Sequence, residues 1–302
     1  MATNPPYLQP GDTIALVCPA GFMDMKDVEP CISILDNWGY KVRIGATVGK
    51  ETGNYFSGTD KERLADLQLA LDDREVAAIL CARGGYGLSR IIDDLDFKKF
   101  RKHPKWIIGY SDITVLHAHV FSTYNIATLH APMAAAFKDG LENNPYLLAW
   151  KRTIEGKTNR FIIPSHDFNR KGMVEGELVG GNLALLAHLI GSKSSYQTKD
   201  KIVFIEDIGE YAYNIDRMLY QLKRAGYFKK IKALVVGSFS DNKDTLRPFG
   251  KPVYEIIRDA VKEYDFPVCY DFPVGHTREN YPLKIGNTYS LKIGKNKVVL
   301  EG

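Results

Sequence analysis

The stretch KWIIGYSDITVLHAH, residues 105–119, carries the decision about the fold of this chain. Trp106, Ile107 and Ile108 are apolar and β-prone, the mark of a buried strand. Gly109-Tyr110-Ser111-Asp112 ends the run, and a helix-like pattern follows at once. Ser111 therefore sits on a strand-to-helix turn, where a side chain can be held outward at the edge of a sheet. The same place suits a helix N-cap, since Ser and Asp both satisfy free amides there. Whether Ser111 is more than a cap depends on a base and an acid elsewhere in the chain.

Working outward, the first half alternates strand and helix signals. TIALVCPAG reads as a strand, DVEPCISILDNWGY as an amphipathic helix ending near Gly39, and KVRIGA as a second strand. GTDKERLADLQLALDD is a helix with a Thr59/Glu62 capping box and apolar Leu64, Leu67 and Leu71. VAAILCARGG and WIIGYSD are further strands running into turns. Such alternation with short links predicts an α/β fold: an N-terminal parallel-sheet domain, flavodoxin- or amidotransferase-like, with helices on both faces, over residues 1–160. Functional residues are then expected at the carboxyl ends of its strands. Polar text around EGKTNRFIIPSHDFNRKG places a linker at 161–175. Residues 176–302 read as a smaller C-terminal α+β domain. Its signals are a Gly-rich turn and apolar helix (GELVGGNLALLAHLIGS), a strand KIVFIED, a helix NIDRMLYQLKRAG, a strand KALVVGSF, a helix around PVYEIIRDAVKEY, and a terminal hairpin YSLKIGKNKVVLEG.

The bulk numbers narrow the function. A chain of 302 residues with 45% hydrophobic and 25% charged residues is an ordinary globular protein with room for one large or two ordinary cores. The net charge of +4 is small and scattered. Its densest basic cluster, FKKFRKHPK at 97–105, reads as a solvated helix end, so no nucleic-acid partner is expected. No apolar run approaches the ~18 residues that span a bilayer, and the N-terminus lacks a signal-peptide pattern, so no membrane association is expected. The four cysteines, Cys18, Cys31, Cys81 and Cys269, lack C-x-x-C spacing and read as free thiols in a reducing compartment. None of the seven histidines forms an H-x-x-x-H pair with a nearby acid, and His117 and His119 lie on different helix faces. Neither a metal nor a cofactor is expected.

A serine needs a base to attack at neutral pH, and the base needs an orienting acid. KIVFIEDIGE presents Glu206-Asp207 after an apolar run, and PVCYDFPVGHTREN presents His276 just after Gly275. The order Ser…Glu…His occurs among α/β hydrolases. Each residue also has a plainer reading: an exposed acid or cap for Glu206, a loop histidine for His276. CARGGYGLSR adds Gly84, Gly85 and Gly87 after a strand. G-x-G-x-x-G spacing fails there because Arg90 takes the last position, and no ribose-binding acid or Walker lysine follows. An oxyanion hole, one amide from Gly84-Gly85 and the amide of Asp112, fits better.

YFSGTDKERLADLQLALDDREVAAILCARGGYGLSRII, KWIIGYSDITVLHAH, GELVGGNLALLAHLIGS, IVFIEDIGE and FPVGHTRENYPLKIG together resemble the LD-carboxypeptidases, serine peptidases that release terminal D-alanine from murein tetrapeptides in the cytoplasm. The resemblance runs from about residue 8 to the C-terminus. It implies Ser111 as nucleophile, His276 as general base and Glu206 as orienting carboxylate. It also implies an oxyanion hole at Asp112, Gly84 and Gly85, a murein peptide as partner, and a homodimer. Arg83, Tyr86, Arg278 and Asn280 are candidates for substrate contact, the last two equally for loop support. Two positions depart from the expected pattern: Ile113 stands where the hydrolase elbow G-x-S-x-G has glycine, and Ala131 in TLHAPM stands where the family leads one to expect glycine. The rivals are a microcin-immunity type hydrolase of peptide–nucleotide amides, for which Tyr86, Tyr110 and Tyr213 supply stacking rings, and a muropeptide-binding module without catalysis.

Overall fold

The computed structural model describes residues 2–138, 140–141 and 144–302 of the chain. They form two units, Ala2–Lys157 with Tyr281–Lys284, and Thr158–Asn280 with Ile285–Gly302.

The first unit is built on strands β1 (Thr13–Val17), β2 (Lys41–Ile44), β3 (Val76–Cys81), β4 (Trp106–Gly109) and β5 (Thr128–His130). They lie in the order β2-β1-β3-β4-β5, all paired in parallel, with a short strand Leu283–Ile285 beyond β5. That order is the flavodoxin-like one, whose ligands lie beyond the carboxyl ends of the strands. The central strands are buried along nearly their whole length, as parallel strands covered on both faces must be. Edge strand β2 keeps Lys41 and Arg43 exposed, which blunts its free edge.

Helices α1 (Met25–Asn37), α2 (Asp60–Asp72), α3 (Lys98–Lys102), α4 (Thr114–Tyr124) and α5 (Pro145–Ile154) complete the unit. Both arms of the capping box at Thr59 and Glu62 are made. On α2 the expected Leu67 and Leu71 are buried and Leu64 half-buried, and the inner face also takes in Arg63, Asp66 and Ala70. Asp66 accepts from the amides of Ala46 (2.9 Å) and Thr47 (3.0 Å), which removes the cost of its burial. Helix α4 is buried from Thr114 through Phe121, so His117 and His119 are both inside although they occupy different faces. In the basic cluster α3 is solvated apart from Phe100, but Lys105 is not. Its ammonium donates to the carbonyls of Ala70 (3.1 Å) and Asp73 at the C-terminal end of α2, and burial pushes its pKa down to about 8.

The second unit carries β6 (Arg160–Pro164), β7 (Gly172–Asn182), β8 (Ile202–Ile208), β9 (Ala233–Ser240) and β10 (Val268–Cys269). With Leu283–Ile285 counted as β11, the last strands are β12 (Thr288–Ile293) and β13 (Lys297–Glu301). The sheet runs β10-β9-β8-β7-β12-β13-β6, parallel from β10 to β7 and antiparallel from β7 to β6. Its helices are α6 (Leu183–His188), α7 (Ala212–Arg224) and α8 (Val253–Val261). Two expectations are corrected here. Residues 161–175 are not a linker, because 160–164 pair with the terminal strand β13 and 172–175 begin β7. The glycines of GELVGGN are not a turn either. Gly180 and Gly181 lie within β7 and pair with Phe204 and Ile205 of β8.

Candidate active site

In the first unit β4 ends at Gly109, and Ser111 opens a single 3-10 turn before α4. Ser111 has φ 64. The other described non-glycine residues with positive φ are Asn125, Asp200, Asp241 and Asp271, side chains that tolerate this region. For serine it costs on the order of 1–2 kcal/mol, and such strain persists at functional turns. The plainer reading fails, because no side chain caps the 3-10 turn or α4. The Asp112 carboxylate turns away and accepts from the Leu88 amide at 2.8 Å, tying the Ser111 turn to the glycine turn after β3. Burial pushes its pKa up to about 6, against the opposing pull of that amide and of Arg63.

Gly84 makes the approach of the two turns possible. A Cβ there would stand 2.8 Å from Ser111 Cβ, 3.0 Å from its Oγ and 3.2 Å from the Asp112 amide nitrogen. Ser111, Asp112 and Gly84, separated in sequence, are thus brought together. Arg83 is exposed and donates to the Phe22 carbonyl at 2.6 Å, bracing the loop after β1. Tyr86 is exposed on the same turn, its ring 6.0 Å from that of Phe56. Ala131 is buried, and its amide donates to the Gly109 carbonyl at 3.1 Å.

In the second unit Glu206 and His276 meet. Glu206 is fully buried at the end of β8, and its Oε2 accepts from His276 Nδ1 at 2.7 Å. A carboxylate can only accept, so Nδ1 carries the proton and Nε2 is the nitrogen left to exchange one. Burial works against the imidazolium, but the hydrogen bond and charge of Glu206, with Asp207 behind it, outweigh burial and hold the His276 pKa above the ordinary histidine value. At Gly275 (φ 127) a Cβ would come within 2.8 Å of Glu206 Oε2. Asp207 points to the other face of the strand. It accepts from Asn182 Nδ2 (2.8 Å) and from the amides of Ala184 (3.0 Å) and Ile208 (2.8 Å), fixing the start of α6. Burial and the adjacent Glu206 charge push its pKa up to about 7. Asn280 is buried and accepts from the Gly275 amide at 3.2 Å, so it supports the His276 loop, while Arg278 is exposed.

Two contributors escaped the sequence reading. Arg63, wholly buried, donates to the carbonyls of Pro19 (2.6 Å) and Gly87 (3.1 Å) and stands 4.8 Å over the Phe56 ring, binding the loop after β1 to the glycine turn. Its signal was a charge spaced four residues before Leu67, on the inward stripe of α2. The second is His117, considered below. Among the described residues no cluster of three His, Cys, Asp or Glu side chains is arranged to hold a metal ion, and no helix is long and apolar enough to cross a membrane.

Residues 14–131 match the LD-carboxypeptidase N-terminal domain and residues 175–291 the LD-carboxypeptidase C-terminal domain. A probable murein peptide carboxypeptidase of Bacillus subtilis is 34% identical over 99% of this chain and 94% of its own length. The crystal structure of muramoyltetrapeptide carboxypeptidase from Oxalobacter formigenes, 30% identical, superposes with a TM-score of 0.86 over 96% of this chain and 98% of that one. The chain belongs to the LD-carboxypeptidase family of serine peptidases. A microcin C7 self-immunity protein, solved with aspartyl sulfamoyl adenosine, shares the fold at a TM-score of 0.88 and 22% identity, covering 100% of this chain and 98% of its own.

Proposed function

We propose that this protein is a serine carboxypeptidase that hydrolyses the L,D-peptide bond and releases terminal D-alanine from murein tetrapeptides. The observation that carries the reading is Ser111, a serine held at φ 64 against a glycine turn that only a residue without Cβ allows. In this reading His276 Nε2 takes the Ser111 proton as Oγ attacks the scissile carbonyl. Glu206 holds the imidazole tautomer and stabilises the imidazolium that forms. The amides of Asp112 and the Gly84-Gly85 turn receive the oxyanion, each contributing roughly 2.7–4 kcal/mol to the transition state. His276 then protonates the leaving amine, and water attacks the acyl-enzyme by the same base. Arg83 is the candidate for the terminal carboxylate of the substrate. Recycling of cell-wall peptides would place the enzyme in the cytoplasm, and a homodimer fits the family.

A peptide–nucleotide amide is the second reading. It is favoured by the exposed pair Tyr211 and Tyr213, whose rings lie 5.5 Å apart with Arg217 5.2 Å from the Tyr213 ring. One experiment separates the two: incubation of the purified protein with murein tetrapeptides and with a peptide–nucleotide amide, with detection of the released amino acid. D-alanine release that is lost in Ser111→Ala supports the first reading. Turnover of the nucleotide amide alone replaces it with the second.

A further inference from the structure

His117 lies in the first turn of α4, wholly buried, and the reaction above does not use it. Its Nε2 stands 2.9 Å from the Gly109 carbonyl, which can only accept, so Nε2 carries the proton. Nδ1 has no hydrogen-bond partner among the described residues. A ring with one bond made and one acceptor idle is an expensive way to fill a core, since an apolar side chain of similar size would leave nothing unsatisfied. Packing alone therefore does not account for a histidine here.

The single bond it makes spans the nucleophile turn. Gly109 is the last residue of β4 and His117 is on the helix that follows, so Nε2–H closes a loop around Ser111. The Gly109 carbonyl also accepts from Ala131, which fixes its direction in the sheet. Ile113, the departure from the hydrolase elbow, packs on Gly109 so closely that a Cβ there would come within 2.9 Å of its side chain. Strained backbone persists only where its surroundings over-determine it. We propose that His117 is a positioning residue that holds Ser111 in its left-handed conformation by tying the strand before the turn to the helix after it. Burial pushes the His117 pKa down to about 4, so the ring keeps this one neutral tautomer at working pH. The proposal rests on Ser111 being the nucleophile.

The test compares His117→Gln, which retains an N–H donor, with His117→Met, which has similar length and no donor. A fluorophosphonate probe, whose fluoride is displaced by an activated serine oxygen, reads Ser111 reactivity without any murein substrate. In wild type labelling is expected, and its absence from a folded wild-type protein would sink the reading of Ser111 and the proposal that rests on it. Labelling and kcat should fall at least tenfold in the Met variant with KM unchanged, and the Gln variant should recover part of both. Equal labelling rates for Gln and Met, or a Met variant with lowered melting temperature and wild-type labelling, would reduce His117 to a packing residue. If the Met variant does not fold, it is remade with Ser111→Gly, where the turn needs no bracing and folding should return. Failure to fold there too overturns the proposal.

Discussion

Replacing Glu206 by Gln keeps the shape of the site and removes its charge. The carboxylate is fully buried, its Oε2 takes the 2.7 Å bond from His276 Nδ1, and its Oε1 has no partner among the described residues. A glutamine amide placed there can donate to Nδ1 and so favour the tautomer that puts the proton on Nε2, which disables the base. A loss of about 10²–10⁴ in kcat is the scale of a disabled acid–base partner. The pH profile gives a sharper reading. In wild type burial lowers the His276 pKa, and the Glu206 bond and charge more than reverse it. The acid limb of kcat/KM should therefore lie above the ordinary histidine value of about 6.5. With Gln the Glu206 bond and charge go while burial stays, so the limb of the residual activity should move down. Stability follows the same sign. A raised histidine pKa contributes stability that is fully present below about pH 6.5 and is lost as pH rises through the folded value. The wild-type advantage in melting temperature over Glu206→Gln should hence be larger at pH 6 than at pH 9. An unmoved acid limb, or a stability difference independent of pH, would refute the electrostatic role and leave Glu206 a packing residue.

Ser111→Gly should abolish turnover yet raise the urea midpoint, because glycine adopts φ 64 without the roughly 1–2 kcal/mol borne by serine; a lowered midpoint would mean the turn is not strained. Gly84→Ala should remove activity in a protein with wild-type circular dichroism, since its Cβ would crowd Ser111 at 2.8 Å; retained D-alanine release would exclude this turn from the reaction. Asp207→Asn should cost about 1 kcal/mol through the start of α6 and spare most of kcat, and a kinetic loss matching that of Glu206→Gln would mark the wrong acid. Lys105, with its pKa lowered to about 8, gives up its proton in the folded chain above that pH, while the unfolded chain holds it up to about 10.5. Its contribution to stability therefore rises with pH across that window, and Lys105→Met should remove the slope when unfolding is followed at pH 8 and pH 10.

Local text was enough for the elements that local physics builds. Trp106-Ile107-Ile108 before a glycine, the Thr59/Glu62 box and the terminal hairpin all became what their nearest neighbours in sequence specify. The serine after β4, the acid late in β8 and the histidine after Gly275 stood out as candidates because each follows an apolar run, although His276 lies in the loop beyond β10 and not at a strand end. Strand β6 was not, because its pairing with β13 depends on residues more than a hundred positions away while its flanks read as polar loop. Nor could sequence distinguish Glu206 from Asp207 by its own rules. Adjacent strand residues face opposite ways, and only the placement of β8 shows that one meets His276 and the other the first turn of α6. Arg63 and His117 were hidden as ordinary members of helices, since a buried donor is defined by the carbonyls it reaches. The carbonyls of Pro19 and Gly87 belong to turns that come to Arg63 only when the sheet is assembled, and that of Gly109 meets His117 only once α4 folds back against the end of β4.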